Sequence, residues 1–215
     1  MTSAPTEKTG VKYHVRDGIA SITMESHPVN AMSLSMIRAI VANFKHAATD
    51  PNTRVVVLKS AIPERFSAGL DLARLISEPT EGPRELLQEL YINLFDAQYN
   101  LGKPSIAAVN GTTRGGGMTL AISCDMIIAS NTATFGYPEI DVGVLPAIHF
   151  GHLPRIVGRH RAFELLFSGR AFDAKEAYDL GLISKVVADV KFDDAVTDLA
   201  KTFASKSEVI TRMAR

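Results

Sequence analysis

The sequence predicts a single α/β domain built on buried parallel strands. Three short apolar runs, at residues 55–58, 105–109 and 126–129, are rich in valine, isoleucine and alanine, which is typical of strands that are covered on both faces. Segments with helical spacing of apolar residues lie between these runs. No linker divides the chain, so strand and helix alternate within one unit.

The elements follow from local signals. Residues 11–15 alternate, Asp17-Gly18 marks a turn and residues 19–22 resume, which predicts a hairpin. Ser33 is placed to cap a helix that ends at Asp50-Pro51-Asn52. A glycine-bearing turn at 66–71 precedes a short helical stretch, and a glycine loop at 111–117 precedes a helix that begins at Met118. Further helices are predicted over four ranges: 84–101, 159–168, 173–180 and 192–206.

Composition excludes several function classes. Lys plus Arg and Asp plus Glu each number 23, so the formal net charge of zero is unlike the basic footprint of a nucleic-acid-binding protein. A single cysteine excludes an internal disulfide framework. No apolar run approaches the ~20 residues of a membrane helix, and residues 1–10 show no targeting pattern. We therefore expect a cytoplasmic protein with neither a nucleic-acid nor a membrane partner.

Two segments have the same form, a buried strand followed by a glycine-bearing loop and a helix start. The first leads into Gly69 and the second into the triplet at 115–117. Unpaired backbone N–H groups of two such junctions could converge on one oxygen and stabilise negative charge. Two ordinary strand-to-helix turns are the alternative, which the glycines alone favour. The triplet matches neither a dinucleotide fingerprint nor a phosphate-binding loop.

Candidate side chains are few. Glu139 follows a proline among apolar residues, where desolvation would raise its pKa and suit it to acid–base work; a surface carboxylate is the alternative. Cys124 has core-like neighbours, and Ser67 lacks the context of a hydrolase nucleophile. His149 and His152 have no acidic or cysteine partners at ligand spacing, so we predict no metal site and histidines that are satisfied or face solvent.

The ordered motifs together resemble the crotonase family, also called the enoyl-CoA hydratase/isomerase family. Each motif is weak alone, but their order over residues 11–205 is specific. The matching segments are Phe66-Ser-Ala-Gly-Leu-Asp-Leu72, Lys103-Pro-Ser-Ile-Ala-Ala-Val-Asn-Gly111, Gly115-Gly-Gly-Met-Thr-Leu-Ala121, Cys124-Asp125, Phe135-Gly-Tyr-Pro-Glu-Ile-Asp-Val-Gly143, Leu153-Pro-Arg-Ile-Val-Gly158 and residues 171–187.

The resemblance implies a fold of repeated ββα units that form two near-perpendicular sheets flanked by helices. It implies acyl-CoA substrates, no cofactor beyond the coenzyme A of the substrate, no metal, and a homotrimer or dimer of trimers. The backbone N–H groups of Leu70 and Gly116 match the oxyanion donors, and Glu139 matches the catalytic base. The resemblance also implies a set of substrate-binding residues: Ala31, Ala68, Gly69, Asp71, Leu72, Gly115, Thr119 and Pro138.

One departure from the family pattern bears on the reaction. Hydratases of the family carry a second glutamate where this chain has Thr119. A single base at Glu139 suffices to shift a double bond from 3-enoyl-CoA to 2-enoyl-CoA, so this isomerisation is the leading hypothesis. The alternatives are a hydratase in which Asp141 or His149 fills the second role, and a member that binds acyl-CoA without turnover.

The resemblance also suggests boundaries and a place for the acyl group. Residues 1–10 are expected to form a disordered tail, 11–190 the core domain, and 191–215 the start of a helical region that is cut short relative to the family. Tyr91, Phe95 and Tyr99 either line an acyl pocket or, as their helical spacing favours, belong to the core. The 149–152 segment is expected near the acyl end.

Overall fold

The computed structural model describes residues 10–71 and 82–215, and twelve strands lie within them. The strands are β1 Val11–Arg16, β2 Ile19–Met24, β3 Ala31–Met32, β4 Val55–Ser60, β5 Arg65–Ser67, β6 Gly69–Leu70, β7 Ser105–Val109, β8 Thr112–Arg114, β9 Met126–Ser130, β10 Thr134–Gly136, β11 Ala171–Asp173 and β12 Lys185–Val187.

Nine α-helices accompany the strands in the described residues. They are α1 Leu34–Thr49, α2 Pro83–Leu87, α3 Leu94–Tyr99, α4 Gly116–Ser123, α5 Ala147–Val157, α6 Arg159–Ser168, α7 Ala174–Asp179, α8 Phe192–Ala204 and α9 Glu208–Ala214. A π-helical segment, Gln88–Asn93, joins α2 to α3, and the 3₁₀ helices are Pro138–Val142 and Asp189–Lys191. None of the described helices is long and apolar enough to cross a membrane.

A six-stranded sheet forms the centre, in the order β1-β2-β4-β7-β9-β12. Only the β1–β2 hairpin is antiparallel; each later strand pairs in parallel with its neighbour. Residues 55–58 and all of β7 are buried, because helices cover both faces of a parallel sheet. The predicted hairpin and the three predicted buried strands are therefore confirmed.

A four-stranded sheet, β11-β10-β8-β5, and the two-stranded pair β3–β6 complete the fold. Sequence patterns missed these strands because each has only two or three residues. The predicted turn at 66–71 contains most of β5 and all of β6, and the predicted loop at 111–117 contains β8. The start of the helical stretch predicted after residue 71 lies outside the described residues. Residues 1–9 of the predicted tail also lie outside them.

The helix predictions are largely confirmed. Ser33 caps α1, where its hydroxyl accepts a hydrogen bond from the N–H of Met36. The helix predicted over 84–101 is present as α2, the π-helical segment and α3, and the last three predicted helices correspond to α6, α7 and α8. Helix α5 was not predicted, since the glycine and proline within it weaken its helical pattern.

Asn30 joins three segments that lead to the β3–β6 pair. It is fully buried with a φ of 50°. Its side-chain amide donates to the hydroxyl of Ser60 at 2.8 Å and to the carbonyl of Phe66 at 2.9 Å, and its oxygen accepts from the N–H of Ser26 at 2.7 Å. Asparagine tolerates the left-handed region better than most residues, so one side chain meets both the backbone and the hydrogen-bond requirement.

We expect Asn30→Ala to lower the free energy of unfolding by about 3 kcal/mol, because buried groups lose their partners and alanine is strained at positive φ. Asn30→Gly should cost about 1 kcal/mol less, since glycine adopts this φ freely. Urea denaturation measures both variants. Equal losses would show that the backbone conformation at this position contributes nothing to stability.

Candidate active site

A cavity of about 190 Å³ lies between the β6 segment, the start of α4 and the 3₁₀ helix at 138–142. The helical segment at residues 83–99, which consists of α2, the π-helical turn and α3, forms one side of the cavity. Most of the lining is backbone or apolar, and the carboxylates are those of Glu139 and Asp141. The lining residues are Ala68, Gly69, Leu70, Leu87, Tyr91, Gly115, Gly116, Pro138, Glu139, Asp141, Val142 and Val144.

The two glycine-bearing segments predicted to converge do meet at this cavity. Gly69 has a φ of 94°, and a Cβ built on it would lie 3.0 Å from the carbonyl oxygen of Arg114 and 3.2 Å from the backbone N of Gly116. A Cβ on Gly117 would lie 2.7 Å from the carbonyl oxygen of Ser67. The absence of side chains at these positions therefore allows the two backbones to touch.

Gly116 is the first residue of α4, and its N–H has no acceptor within the helix. The N-terminus of a helix carries partial positive charge. Gly116 and Leu70 both line the cavity, and β6 pairs in parallel with β3, with Leu70 opposite Met32. A carbonyl or anionic oxygen placed in this corner of the cavity would be stabilised by the start of α4.

Glu139 lines the same part of the cavity as Leu70 and Gly116, from the opposite side. It is the second residue of the 3₁₀ helix that begins at Pro138. A Cβ on Gly115 would lie only 3.2 Å from its Oε1, so the carboxylate sits against the turn that starts α4. Its Oε2 is buried and has no hydrogen-bond partner in the structure. Burial raises the pKa of Glu139 above its ordinary value, as expected for a desolvated carboxylate.

Tyr91 forms part of the wall on the helical segment. It belongs to the π-helical turn, a feature that is frequent at functional sites. Burial, together with the negative charge of Glu139, raises the pKa of its phenol. Half-buried Tyr91 and Phe95 both pack against the core, and Tyr91 also lines the cavity; the preference for a core role is wrong for Tyr99, which is 84% exposed.

Three further site residues predicted from the resemblance, Ala31, Asp71 and Thr119, are not part of the cavity wall. Ala31 pairs with Gly69 in the β3–β6 ladder, and the N–H of Asp71 donates to the carbonyl of Met32. Thr119 is fully buried in α4. Leu72 lies outside the described residues. Sequence reasoning missed Leu87, Val142 and Val144, whose ordinary apolar character carries no signal of a cavity wall.

The histidines correct the prediction that they are satisfied or solvent-facing. His149 is fully buried, with its Nε2 3.2 Å from the hydroxyl of Thr119 and its Nδ1 unpartnered. Burial, with a smaller effect from His152, lowers the pKa of His149 to about 3, so the ring is neutral. Neither histidine lines the cavity. Within residues 10–71 and 82–215, no group of three or more potential ligand side chains could hold a metal ion.

Cys124 belongs to the hydrophobic core, as the sequence predicts. Its thiol is 8% exposed, and burial raises the pKa to about 12. A thiol in this environment stays protonated and unreactive at neutral pH. Cys124 is therefore no nucleophile, and the chemistry of the cavity falls to its carboxylates and backbone N–H groups.

Known proteins match this chain over nearly its whole length. A family model described as "Enoyl-CoA hydratase/isomerase" matches residues 14–215. A Mycobacterium leprae (strain TN) protein named "Probable enoyl-CoA hydratase echA8" is 36% identical over 197 residues, which cover 87% of this chain and 72% of that protein. The "Hydroxycinnamoyl-CoA hydratase-lyase" of Pseudomonas fluorescens is 30% identical over 95% of this chain and 76% of its own length.

A solved structure has the same fold. The crystal structure of an enoyl-CoA hydratase from Bacillus anthracis superposes with a TM-score of 0.89 at 29% identity, and the match covers 95% of this chain and 80% of the other. The arrangement of ββα units into sheets flanked by helices, which the sequence predicts through its resemblance, is thereby confirmed.

We expect Glu139→Gln to raise the free energy of unfolding at pH 7. Since burial raises the pKa of Glu139 in the fold, its ionisation costs stability as the pH rises through the folded pKa. The gain should vanish below about pH 4, where glutamate is protonated in the unfolded chain too. Urea denaturation at several pH values measures it.

Glu164→Gln is the matched control, for which the expected change in the free energy of unfolding at pH 7 has the opposite sign. Its hydrogen bond from Arg170 lowers the pKa of Glu164 in the fold, so loss of the charge should reduce stability at pH 7. A Glu139→Gln variant that is less stable than the wild type at pH 7 would contradict the desolvation of Glu139.

Proposed function

Because the chain belongs to the enoyl-CoA hydratase/isomerase family, we propose that it acts on acyl-CoA thioesters and shifts a double bond from the 3- to the 2-position of the acyl chain. The observation that carries this proposal is the presence of one half-buried carboxylate, Glu139, beside the start of α4, with its Oε2 buried. Thr119, where hydratases of the family have a second glutamate, is buried outside the cavity wall.

The thioester carbonyl oxygen is expected to lie between the backbone N–H groups of Leu70 and Gly116. Removal of a proton from the carbon next to the carbonyl places negative charge on that oxygen. Preorganised donors at such a position stabilise the charge as it develops, and one donor is typically worth about 2.7–4 kcal/mol of activation free energy. The close approach of Gly69 to the backbone N of Gly116 supports this role, because it allows the two segments to lie side by side.

Glu139 then carries the proton through both halves of the reaction. Its carboxylate takes a proton from Cα of the 3-enoyl thioester, and the bonding electrons delocalise into a dienolate. The protonated Glu139 returns the proton to Cγ, the electrons move back, and the double bond lies between Cα and Cβ. No atom is gained or lost, and no second acid or base is required. A raised pKa supports both roles, since it makes the carboxylate a stronger base near neutral pH.

A hydratase is the second candidate, and two observations favour it. The relative from Mycobacterium leprae and the structure from Bacillus anthracis are both named as hydratases, and Asp141 lines the same cavity as Glu139. Addition of water requires that one group activates the water while a proton reaches Cα. Asp141 is exposed and Glu139 is half-buried.

Product analysis separates the two candidates. The purified protein is incubated with a 3-enoyl-CoA and, separately, with a 2-enoyl-CoA, and products are identified by mass and retention time. We expect the 2-enoyl isomer at unchanged mass from the first substrate and little water addition to the second. A gain of one water from the 2-enoyl substrate identifies a hydratase, and measured acyl-CoA affinity without turnover of either substrate favours a binding protein or an enzyme for a more specialised substrate.

Glu139→Gln should reduce turnover of the 3-enoyl-CoA by about a thousandfold, because a positioned acid–base group typically contributes 10²–10⁴. Asp141→Asn tests the alternative on the same cavity and should retain most of the isomerase rate. Steady-state kinetics measure both variants. Near-normal turnover by Glu139→Gln would remove the glutamate from the mechanism, and a large loss in Asp141→Asn would favour two carboxylates.

Gly69→Ala should lower turnover by about a hundredfold or more, since the new Cβ pushes against the carbonyl of Arg114 and the backbone N of Gly116. Gly151→Ala is the matched control. Gly151 lies in α5 with no atom within 4 Å of an added Cβ, so its rate should stay that of the wild type. Equal rates in the two variants would show that the backbone contact is unimportant for turnover.

A further inference from the structure

One buried side chain, that of His149, contacts both α4, which begins at Gly116, and Tyr137, which directly precedes the 3₁₀ helix of Glu139. His149 lies in α5, on the chain segment that continues directly from the 3₁₀ helix carrying Glu139. It is fully buried, yet it is not part of the cavity wall. A buried histidine costs free energy unless its polar atoms are satisfied, so its contacts call for an explanation.

The first contact reaches the helix that carries the backbone donor. His149 Nε2 lies 3.2 Å from Oγ1 of Thr119, and both residues are fully buried. Thr119 is the fourth residue of α4, one turn after Gly116. The N–H of Thr119 donates to the carbonyl of Gly115 at 3.3 Å, so the threonine belongs to the rigid first turn of the helix.

The second contact reaches the segment that carries the base. The ring of Tyr137 lies 4.6 Å from the ring of His149, centroid to centroid. Tyr137 is fully buried, stacks on Phe172 at 6.3 Å and directly precedes Pro138, the first residue of the 3₁₀ helix. Movement of the His149 ring would therefore disturb the N-terminus of the 3₁₀ helix that holds Glu139.

We propose that His149 is a positioning residue, which through its hydrogen bond to Thr119 and its packing on Tyr137 sets the separation between the backbone N–H of Gly116 and the carboxylate of Glu139. This role rests on the proposed function, in which those two groups act on one thioester. Proton transfer demands close geometry, and a displacement of 1 Å can cost a hundredfold in rate. The neutral ring suits the role, because a fixed hydrogen bond needs no change of charge during turnover.

Thr119 is the side chain through which this proposal is tested. The other ring nitrogen, Nδ1, has no partner among the described residues, so Thr119→Val removes the one hydrogen bond that the His149 ring makes there, while keeping the side-chain shape. We expect kcat on the 3-enoyl-CoA to fall about tenfold or more, with KM within about twofold, since an interaction that matters in the transition state is lost. Thr119→Ser, which keeps the hydroxyl, should restore kcat to within about threefold.

Thr53→Val is the matched control. Thr53 is 1% exposed and is not among the residues that line the cavity, and its hydroxyl donates to Asp50 at 2.8 Å and lies 3.1 Å from the hydroxyl of Tyr13. Thr53→Val therefore loses two hydrogen bonds where Thr119→Val loses one, so it should lose at least as much stability, but only Thr119→Val should lose kcat. A His149→Leu background should make Thr119→Val nearly silent, because the two residues act through one contact.

Equal kcat in Thr119→Val and Thr53→Val, or a Thr119→Ser variant as slow as Thr119→Val, would overturn the proposal. Crystal structures of the wild type and Thr119→Val provide a readout that does not depend on turnover. We expect the distance from the backbone N of Gly116 to the carboxylate of Glu139 to change by about 0.5 Å or more. An unchanged distance overturns the positioning role, whereas a wild type that turns over neither enoyl substrate overturns the proposed function.

Discussion

The close approach of two backbones is the constraint on which the rest of the site depends. The strand that ends at Leu70 lies against the first turn of α4 so tightly that a single Cβ on Gly69 would press on Arg114 and Gly116, and one on Gly117 would overlap Ser67. A side chain at Gly69 or Gly117 would push the two segments apart. The cavity, its backbone donors and the position of Glu139 beside Gly115 all follow from this contact.

The same region concentrates buried polar groups. Six buried side-chain polar atoms of the described residues lack a hydrogen-bond partner, and four of them lie between residues 137 and 152, on Tyr137, Glu139, His149 and His152. Burial is the first cause of every pKa shift among these residues. Functional sites tolerate this loss of folding free energy, because burial can shift the pKa of a carboxylate towards neutral pH.

Thr119, in place of the second glutamate of the family's hydratases, changes which titratable side chains α4 carries. A glutamate there would bring a titratable group to α4, whereas the threonine hydroxyl takes part in a neutral, buried hydrogen bond with His149. The carboxylates that line the cavity, those of Glu139 and Asp141, both come from the 3₁₀ helix at 138–142. Backbone donors are unaffected by the exchange, so a family of enzymes can keep charge stabilisation constant and vary the reaction through one or two side chains.

Much of the fold could be predicted from the sequence, because the central strands are continuous apolar runs that are long enough to be recognised as strands. The runs at 55–58, 105–109 and 126–129 signal burial on both faces, and Ser33 signals a helix start. Strands such as β6 and β8 escaped prediction, since two or three residues carry no periodicity and exist only by pairing. The order of the short glycine motifs revealed the family, which the comparisons confirm.

The sequence by itself determined the residue types of the site: the glycines that permit close backbones, one proline-flanked glutamate and a threonine in place of an acid. Only the tertiary structure decided which of them meet. Tyr91 enters the cavity through a π-helical turn, and His149 reaches Thr119 across 30 positions of chain. Contacts of this kind depend on how helices pack, and the burial that shifts the pKa of Glu139 and His149 exists only once that packing has removed water from both.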